Sequence, residues 1–251
     1  MAELRRLLIG QDRIENIDKN DRLLLLKPNE THYLTRVLRL KPGDEIFIVN
    51  GYGSLWRGCL EKSDSLTLLS SLTNPEIFHQ RANPLICLAV VLPKKGFDEI
   101  LRFCTEVGVD IFQPLISERS INQDIGILRL KRWQSIINEA VEQSERLWMP
   151  ELRPPIRFQD WVTESSIGAV SIGTTRENRY CELETWLAQL SNDLSHVWIA
   201  IGPEGGWSST ELSLALKHGA QYVQFGETIL RVSTAAICSA QLMASWRRLN
   251  Y

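Results

Sequence analysis

"WIAIGPEGGWSSTEL", Trp198 to Leu212, decides the fold. An apolar run with the texture of a fully buried strand stops at Gly202-Pro203, crosses the carboxylate Glu204 and the pair Gly205-Gly206, and reopens as a helix. Ser208 and Glu211 stand at the spacing of a capping box, in which each side chain bonds the other residue's N–H. Two adjacent glycines let a backbone approach a ligand closely. Strand, glycine-bearing loop and capped helix form one unit of an α/β fold with a parallel sheet.

Working outward, the same unit recurs. "LICLAVVL" (Leu85 to Leu92) is another continuous apolar run, and Phe97, Ile100, Leu101, Cys104 and Val107 then mark one helical face, with Gly108 as its stop. "VDIFQPLI" predicts the next strand and "RLKRWQSIINEAVEQSER" (Arg129 to Arg146) the next helix. "IGAVSIG" (Ile167 to Gly173), "VWIAIG" (Val197 to Gly202) and "QYVQFG" (Gln221 to Gly226) are three further strands, each ending in glycine. Ligands in open α/β sheets bind beyond the carboxyl ends of strands, so these three loops are the candidate walls of one site. Glycine after a strand is also ordinary turn chemistry, and that reading stays open. Neither G-x-G-x-x-G nor G-x-x-x-x-G-K-[ST] occurs, so the dinucleotide and triphosphate fingerprints are missing; a neutral or zwitterionic ligand held by main-chain groups fits better.

Before about residue 80 the texture is β-like: "EIFIVN" (Glu45 to Asn50), "LWRGCLEK" (Leu55 to Lys62) and "SLTLLSSL" (Ser65 to Leu72) predict a small antiparallel barrel or sheet. "NPEIFHQRANP" (Asn74 to Pro84) reads as a linker, which sets domains at 1–76 and 77–251. A 44% hydrophobic and 23% charged composition is that of a folded globular chain, so disorder is not the expectation. No apolar run nears the roughly 20 residues of a membrane span, and "MAELRRLLIG" lacks the core of a signal peptide; a cytoplasmic chain is expected. Five scattered cysteines without a C-x-x-C pair suit reduced thiols and exclude a zinc motif. Net charge is only −2, yet "TRVLRLK", "LPKK", "RLKRW" and "WRRLN" concentrate positive charge, either as phosphate-binding patches or as solvated helix faces.

"IGPEGGWSSTEL" and "FGETILRVSTAA" (Phe225 to Ala236), in that order before a terminal helix, resemble the cofactor loops of the RsmE family of 16S ribosomal RNA uracil-N3 methyltransferases. "HYLTRVLRLKPGDEIFIVNG", "LPKKGFDEILRFCTEVGVDIFQPLISERS" and "RWQSIINEAVEQSERLWMPELRPP" extend the resemblance over nearly the whole chain. It implies a PUA-like RNA-binding β-barrel followed by a SPOUT-type domain whose C-terminal chain threads a trefoil knot. It implies S-adenosylmethionine as cofactor, 16S ribosomal RNA of the small subunit as partner, and a homodimer with Val232 to Arg248 near the seam. The implied cofactor contacts are Ile172, Gly173 and Thr174; Ile201, Gly202, Pro203, Glu204, Gly205 and Gly206; and Phe225, Gly226, Ile229, Leu230, Arg231, Ser233 and Ala235. The implied RNA contacts are Arg36, Arg39, Lys94, Lys95, Arg119 and Arg146. Where the family usually has a glutamate after the I-L-R segment, this chain has Ser233, which puts any catalytic duty of that glutamate in doubt here.

Methylating N3 of uracil requires removal of a proton and stabilisation of negative charge on O2 and O4. Arg231 is the candidate stabiliser, because a guanidinium is permanently charged and its donors are forked. Glu204 has two readings, a proton acceptor or a carboxylate that bonds main-chain N–H groups and shapes its turn. The four histidines lie outside the three loops, so no imidazole base is suggested and water remains an alternative. Glu142, Gln143 and Arg146 are expected on one helix face, lining an RNA entrance or dimer seam, or simply solvated. A non-catalytic RNA-binding assembly factor and an α/β nucleotide binder or oxidoreductase are the competing classes; cofactor binding separates them.

Overall fold

A computed structural model describes residues 5–17, 22–120, 125–164, 168–175, 181–191 and 193–251. It divides into unit one, 1–81 with 141–149, and unit two, 82–140 with 150–251.

Unit one runs β1 (Arg6–Leu8), α1 (Gln11–Glu15), β2 (Leu23–Leu25), α2 (Pro28–His32) continuing into a π-helical turn (Tyr33–Val37), β3 (Glu45–Val49), β4 (Ser54–Lys62), β5 (Ser65–Leu68) and β6 (Ile77–Phe78). Its sheet has the order β1-β3-β4-β5-β2, with β6 also on β4. The meander β3-β4-β5 is antiparallel, as its alternating pattern predicts, whereas β1 pairs β3 in parallel. Ile46, Ile48, Leu60, Leu66 and Leu68 are fully buried beneath it. The expected linker contains a strand. Beside β4, β5 reaches only from Gly58 onward, and β6 completes the same edge at Ser54 and Leu55. Backbone groups there would otherwise lack partners.

Residues 141–149 fold back onto this unit. The Leu8 N–H donates to Glu142 Oε1 at 2.7 Å, Arg6 pairs with Glu145 at 2.6 Å, and Leu147 is buried with Val49 and Leu55.

Unit two contains β7 (Leu85–Val91), α3 (Phe97–Val107), β8 (Ile111–Ile116), α4 (Ile127–Gln143, its last residues counted in unit one), β9 (Glu151–Leu152), β10 (Ile156–Arg157), α5 (Phe158–Val162), β11 (Ala169–Gly173), β12 (Cys181–Glu182), α6 (Leu183–Ala188), β13 (His196–Ile201), α7 (Ser209–Lys217), β14 (Gln221–Gln224) and α8 (Val232–Asn250). The sheet is parallel throughout, in the order β10-β8-β7-β13-β11-β14-β12, with β9 also on β8. Strand period two sorts its residues: Cys87, Ala89, Val91, Trp198 and Ala200 share one core with Phe158, Trp161 and Trp207. Gly108 ends α3 at φ 117°, the left-handed stop expected of it. Helix α4 ends at Gln143 and Glu145 takes φ 60°, so Arg146 lies past the helix, not on a face shared with Glu142.

Helix α8 is pinned at its far end. Arg247 ion-pairs with buried Asp110 and donates to the Pro84 and Gly108 carbonyls at 3.2 and 3.3 Å, while Asp110 also accepts from the Ile86 N–H at 2.9 Å. No helix among the described residues is long and apolar enough to cross a membrane.

Candidate functional site

Because β13 is inserted between β7 and β11, the carboxyl ends of β8, β7, β13, β11 and β14 lie side by side. Beyond them opens a cavity of about 890 Å³. The three glycine-ended loops converge on it as expected. The loops after β7 and β8 also contribute, through Pro93, Lys95, Gly96, Glu99 and Arg119.

Every expected cofactor residue but one lines this cavity. Ile172 is the exception: its side chain is fully buried in the sheet core, one residue below the wall, because alternate strand residues face opposite ways. Lys95 and Arg119, expected as RNA contacts, are in the wall, whereas Lys94 contributes its main chain and is not among the lining residues. Arg36 and Arg39 are exposed residues of unit one, and Arg146 belongs to that unit as well. Sequence reasoning missed Thr175, Trp207, Gln224, Glu227, Thr228 and Val232 in the wall, as well as Gly96 and Glu99. The rule that sites sit past parallel strand ends could have found the last two, since they follow β7.

Two carboxylates organise the walls through main-chain donors. Glu204 Oε1 accepts from the Lys94 N–H at 3.2 Å, joining the glycine loop to the loop after β7. Glu211 is 4% exposed; Oε2 accepts from the Ser208 N–H at 2.9 Å, and the Ser208 hydroxyl accepts from the Glu211 N–H at 3.1 Å, so the capping box is present. Its remaining oxygen takes the Glu118 N–H at 3.0 Å, and Arg119 Nη1 donates to the Gly205 carbonyl at 3.1 Å. Glu211, buried and bonded through both oxygens, suits a fixed structural role, whereas exposed Glu204 makes this one bond.

The glycine pair divides its labour. Gly206 adopts φ 69°, a conformation that side chains disfavour, whereas a β-carbon on Gly205 would make ordinary contact with Arg119 at 3.7 Å. Next to the pair, Trp207 Nε1 donates to the Gly173 carbonyl at 3.1 Å, and on the β11 side Thr174 N–H donates to Val223 O at 2.9 Å. Arg231 is the exposed residue preceding α8; its guanidinium makes no hydrogen bond or ion pair with the described residues. The cavity thus carries three cations (Lys95, Arg119, Arg231), three carboxylates (Glu99, Glu204, Glu227) and six glycines. Such a lining accommodates a ligand bearing both charges. Among the described residues no group of acidic, histidine or cysteine side chains is arranged to hold a metal.

Comparison with known proteins agrees with this geometry. Residues 81–244 match the RNA methyltransferase domain family, and residues 26–70 match the RNA methyltransferase PUA domain. The chain is 40% identical over 221 residues to the ribosomal RNA small subunit methyltransferase E of Synechocystis, covering 86% of this chain and 71% of that one. The Aquifex aeolicus protein of the same name is 25% identical, across 91% of this chain and 97% of its own. A crystal structure of the Neisseria gonorrhoeae ribosomal RNA small subunit methyltransferase E bound to S-adenosyl methionine superposes with TM-score 0.78 at 27% identity, covering 97% of this chain and 98% of that one. A Legionella pneumophila protein in complex with its bound cofactor SAM gives 0.81 at 26% identity, with the same coverage.

Proposed function

Because this chain belongs to the ribosomal RNA small subunit methyltransferase E family, we propose that it uses S-adenosylmethionine to methylate N3 of a uridine in 16S ribosomal RNA. One observation carries the reading: three glycine-ended loops of a parallel sheet meet around a single cavity of about 890 Å³, a size that encloses a cofactor of this class. The residues suit the group. Gly202, Gly205, Gly206 and Gly226, which have no side chain, stand in the wall, and the mixed charges answer an ammonium and a carboxylate. When bound, S-adenosylmethionine supplies a methyl group made electrophilic by a sulfonium.

The chain's own residues do the rest. Arg231 offers forked donors to the charge that builds on O2 and O4 as the N3 proton leaves. Glu204, hydrogen-bonded to the Lys94 main chain, holds the glycine loop, so the proton passes to water at the cavity mouth. N3 lies on the Watson–Crick edge, so the target uridine is unpaired or flipped out.

The finer architecture belongs to the same proposal. Unit one is the PUA-like barrel, gripping RNA through Arg36 and Arg39, and Lys94, Lys95, Arg119 and Arg146 add further contacts. The segment carrying Phe225 to Ala236 threads a trefoil knot of SPOUT type. Two chains dimerise near α8, and the enzyme works in the cytoplasm on small subunits or late assembly particles.

Mass mapping of methylated nucleosides in ribosomal RNA from a strain lacking this gene tests the reading. Loss of N3-methyluridine from 16S RNA, restored by the gene, is expected. Unchanged N3-methyluridine would overturn it, as would purified protein that fails to bind S-adenosylhomocysteine.

A further inference from the structure

The indole of Trp207 is buried, 7% exposed, yet it lines the cavity. From below it is seated on the core residue Phe158, with ring centroids 4.6 Å apart. One edge lies against Gly202, where a β-carbon would come within 2.9 Å of Cε2 and Nε1. Its N–H donates to the Gly173 carbonyl at 3.1 Å. Gly202 follows β13 and Gly173 ends β11, and these strands are neighbours in the sheet. One side chain therefore touches both walls that diverge from this strand pair.

Gly173 is held on its other side too. A β-carbon there would meet the Phe225 ring at 2.8 Å, and the following N–H, that of Thr174, is taken by Val223. Those contacts join the β11 loop to the β14 side; the indole hydrogen bond joins it to the glycine loop. The bond is not a general consequence of burying an indole. The N–H groups of Trp133, Trp161 and Trp198, more deeply buried, make no hydrogen bond with the described residues, while that of buried Trp56 reaches the Ser71 carbonyl at 3.3 Å. Those three are held by packing, whereas Trp207 is held by packing and also aimed at an acceptor.

We infer that Trp207 is a positioning residue, setting the width of the cofactor cavity through its hydrogen bond to the Gly173 carbonyl. It acts through Gly173 by fixing the peptide plane from which Thr174 and Thr175 enter the wall. The inference rests on reading the cavity as the S-adenosylmethionine site.

Trp207→Phe keeps an aromatic ring over Phe158 and removes only the donor to the Gly173 carbonyl. By calorimetry its S-adenosylhomocysteine affinity is expected to fall about 5–10-fold, the scale of one net hydrogen bond. Its kcat at saturating S-adenosylmethionine stays within about twofold, because the reacting groups are elsewhere. Phe158→Leu is the control: it keeps the donor and loosens the ring contact, so thermal stability drops while affinity holds. Wild-type affinity in Trp207→Phe, or an equal loss in Phe158→Leu, overturns the inference. If Trp207→Phe does not fold, exchange of the Trp207 indole proton in ¹⁵N-labelled wild-type protein decides: protection that increases with S-adenosylhomocysteine supports the bond, and fast exchange rejects it. Absence of S-adenosylhomocysteine binding by the wild type would instead remove the cofactor reading itself.

Discussion

The Glu211 carboxylate accepts the Glu118 main-chain N–H at 3.0 Å across 93 positions of sequence, while its other oxygen caps its own helix. One buried side chain thereby starts α7 and ties down the loop after β8. Glu211→Gln keeps one acceptor but turns an amide NH₂ toward an N–H donor, so a loss of about 1–3 kcal/mol is expected in urea unfolding. Glu211→Ala should cost more, and a change below about 0.5 kcal/mol in both variants would reject the bridging role.

Arg231→Ala is expected to lower turnover about 100-fold or more and leave S-adenosylhomocysteine affinity within about threefold, the pattern of a lost transition-state charge stabiliser. Single-turnover kinetics with small subunits as substrate checks this. Normal turnover would leave the family assignment intact and remove Arg231 from its role.

Gly202→Ala and Gly205→Ala should part company. A β-carbon at Gly202 would sit 2.9 Å from the Trp207 ring, so thermal stability and S-adenosylhomocysteine binding fall together. At Gly205 the added carbon, among the described residues, meets only Arg119, at 3.7 Å. Folding there is spared, and any loss of affinity measured by calorimetry reports directly on backbone approach.

Burial pushes the Cys104 thiol up, with Cys238 nearby adding to the shift. A raised folded pKa means that the thiol's stabilising share is complete below the unfolded value of 9.0 and is lost as pH rises toward the folded one. Stability should therefore decline above pH 9, and Cys104→Ser should flatten that decline. Maleimide labelling of native protein at pH 8 should spare buried Cys104 until the chain unfolds.

Removing Arg247 takes a charged partner from the Asp110 carboxylate, which is 5% exposed and also accepts from the Ile86 N–H. Arg247→Ala should cost roughly 2–4 kcal/mol, a little under the usual penalty for breaking a buried pair because Arg247 is itself partly exposed. Chemical denaturation with unchanged stability would show that α8 is not anchored there.

What the sequence disclosed was local. The helix over Phe97–Val107, its stop at Gly108 and the Ser208–Glu211 box each depend on residues a few positions apart, and all three stand in the structure. Long-range pairing was hidden. Nothing near His196 to Ile201 says that β13 will lie between β7 and β11, so the walls supplied by Gly96, Glu99 and Arg119 went unassigned to the cavity. Strands β1 and β6 are too short, at three and two residues, to carry a period. Trp207 reads as an apolar residue beside glycines, and only the fold brings the Gly173 carbonyl to its N–H. Arg146 was placed by extending a helical pattern through Glu145, whose positive φ ends it.

The return of residues 141–149 to unit one bears on how the protein is made. A ribosome adding about 5–20 residues per second needs roughly 3–14 s to move from residue 81 to residue 149. Throughout that interval the nascent unit has its sheet strands but lacks the Glu142 acceptor for Leu8 and the Leu147 side chain that covers Val49 and Leu55. Its edge closes only after β7, α3, β8 and most of α4 have been translated, so a cut after Arg81 yields a fragment missing its last piece.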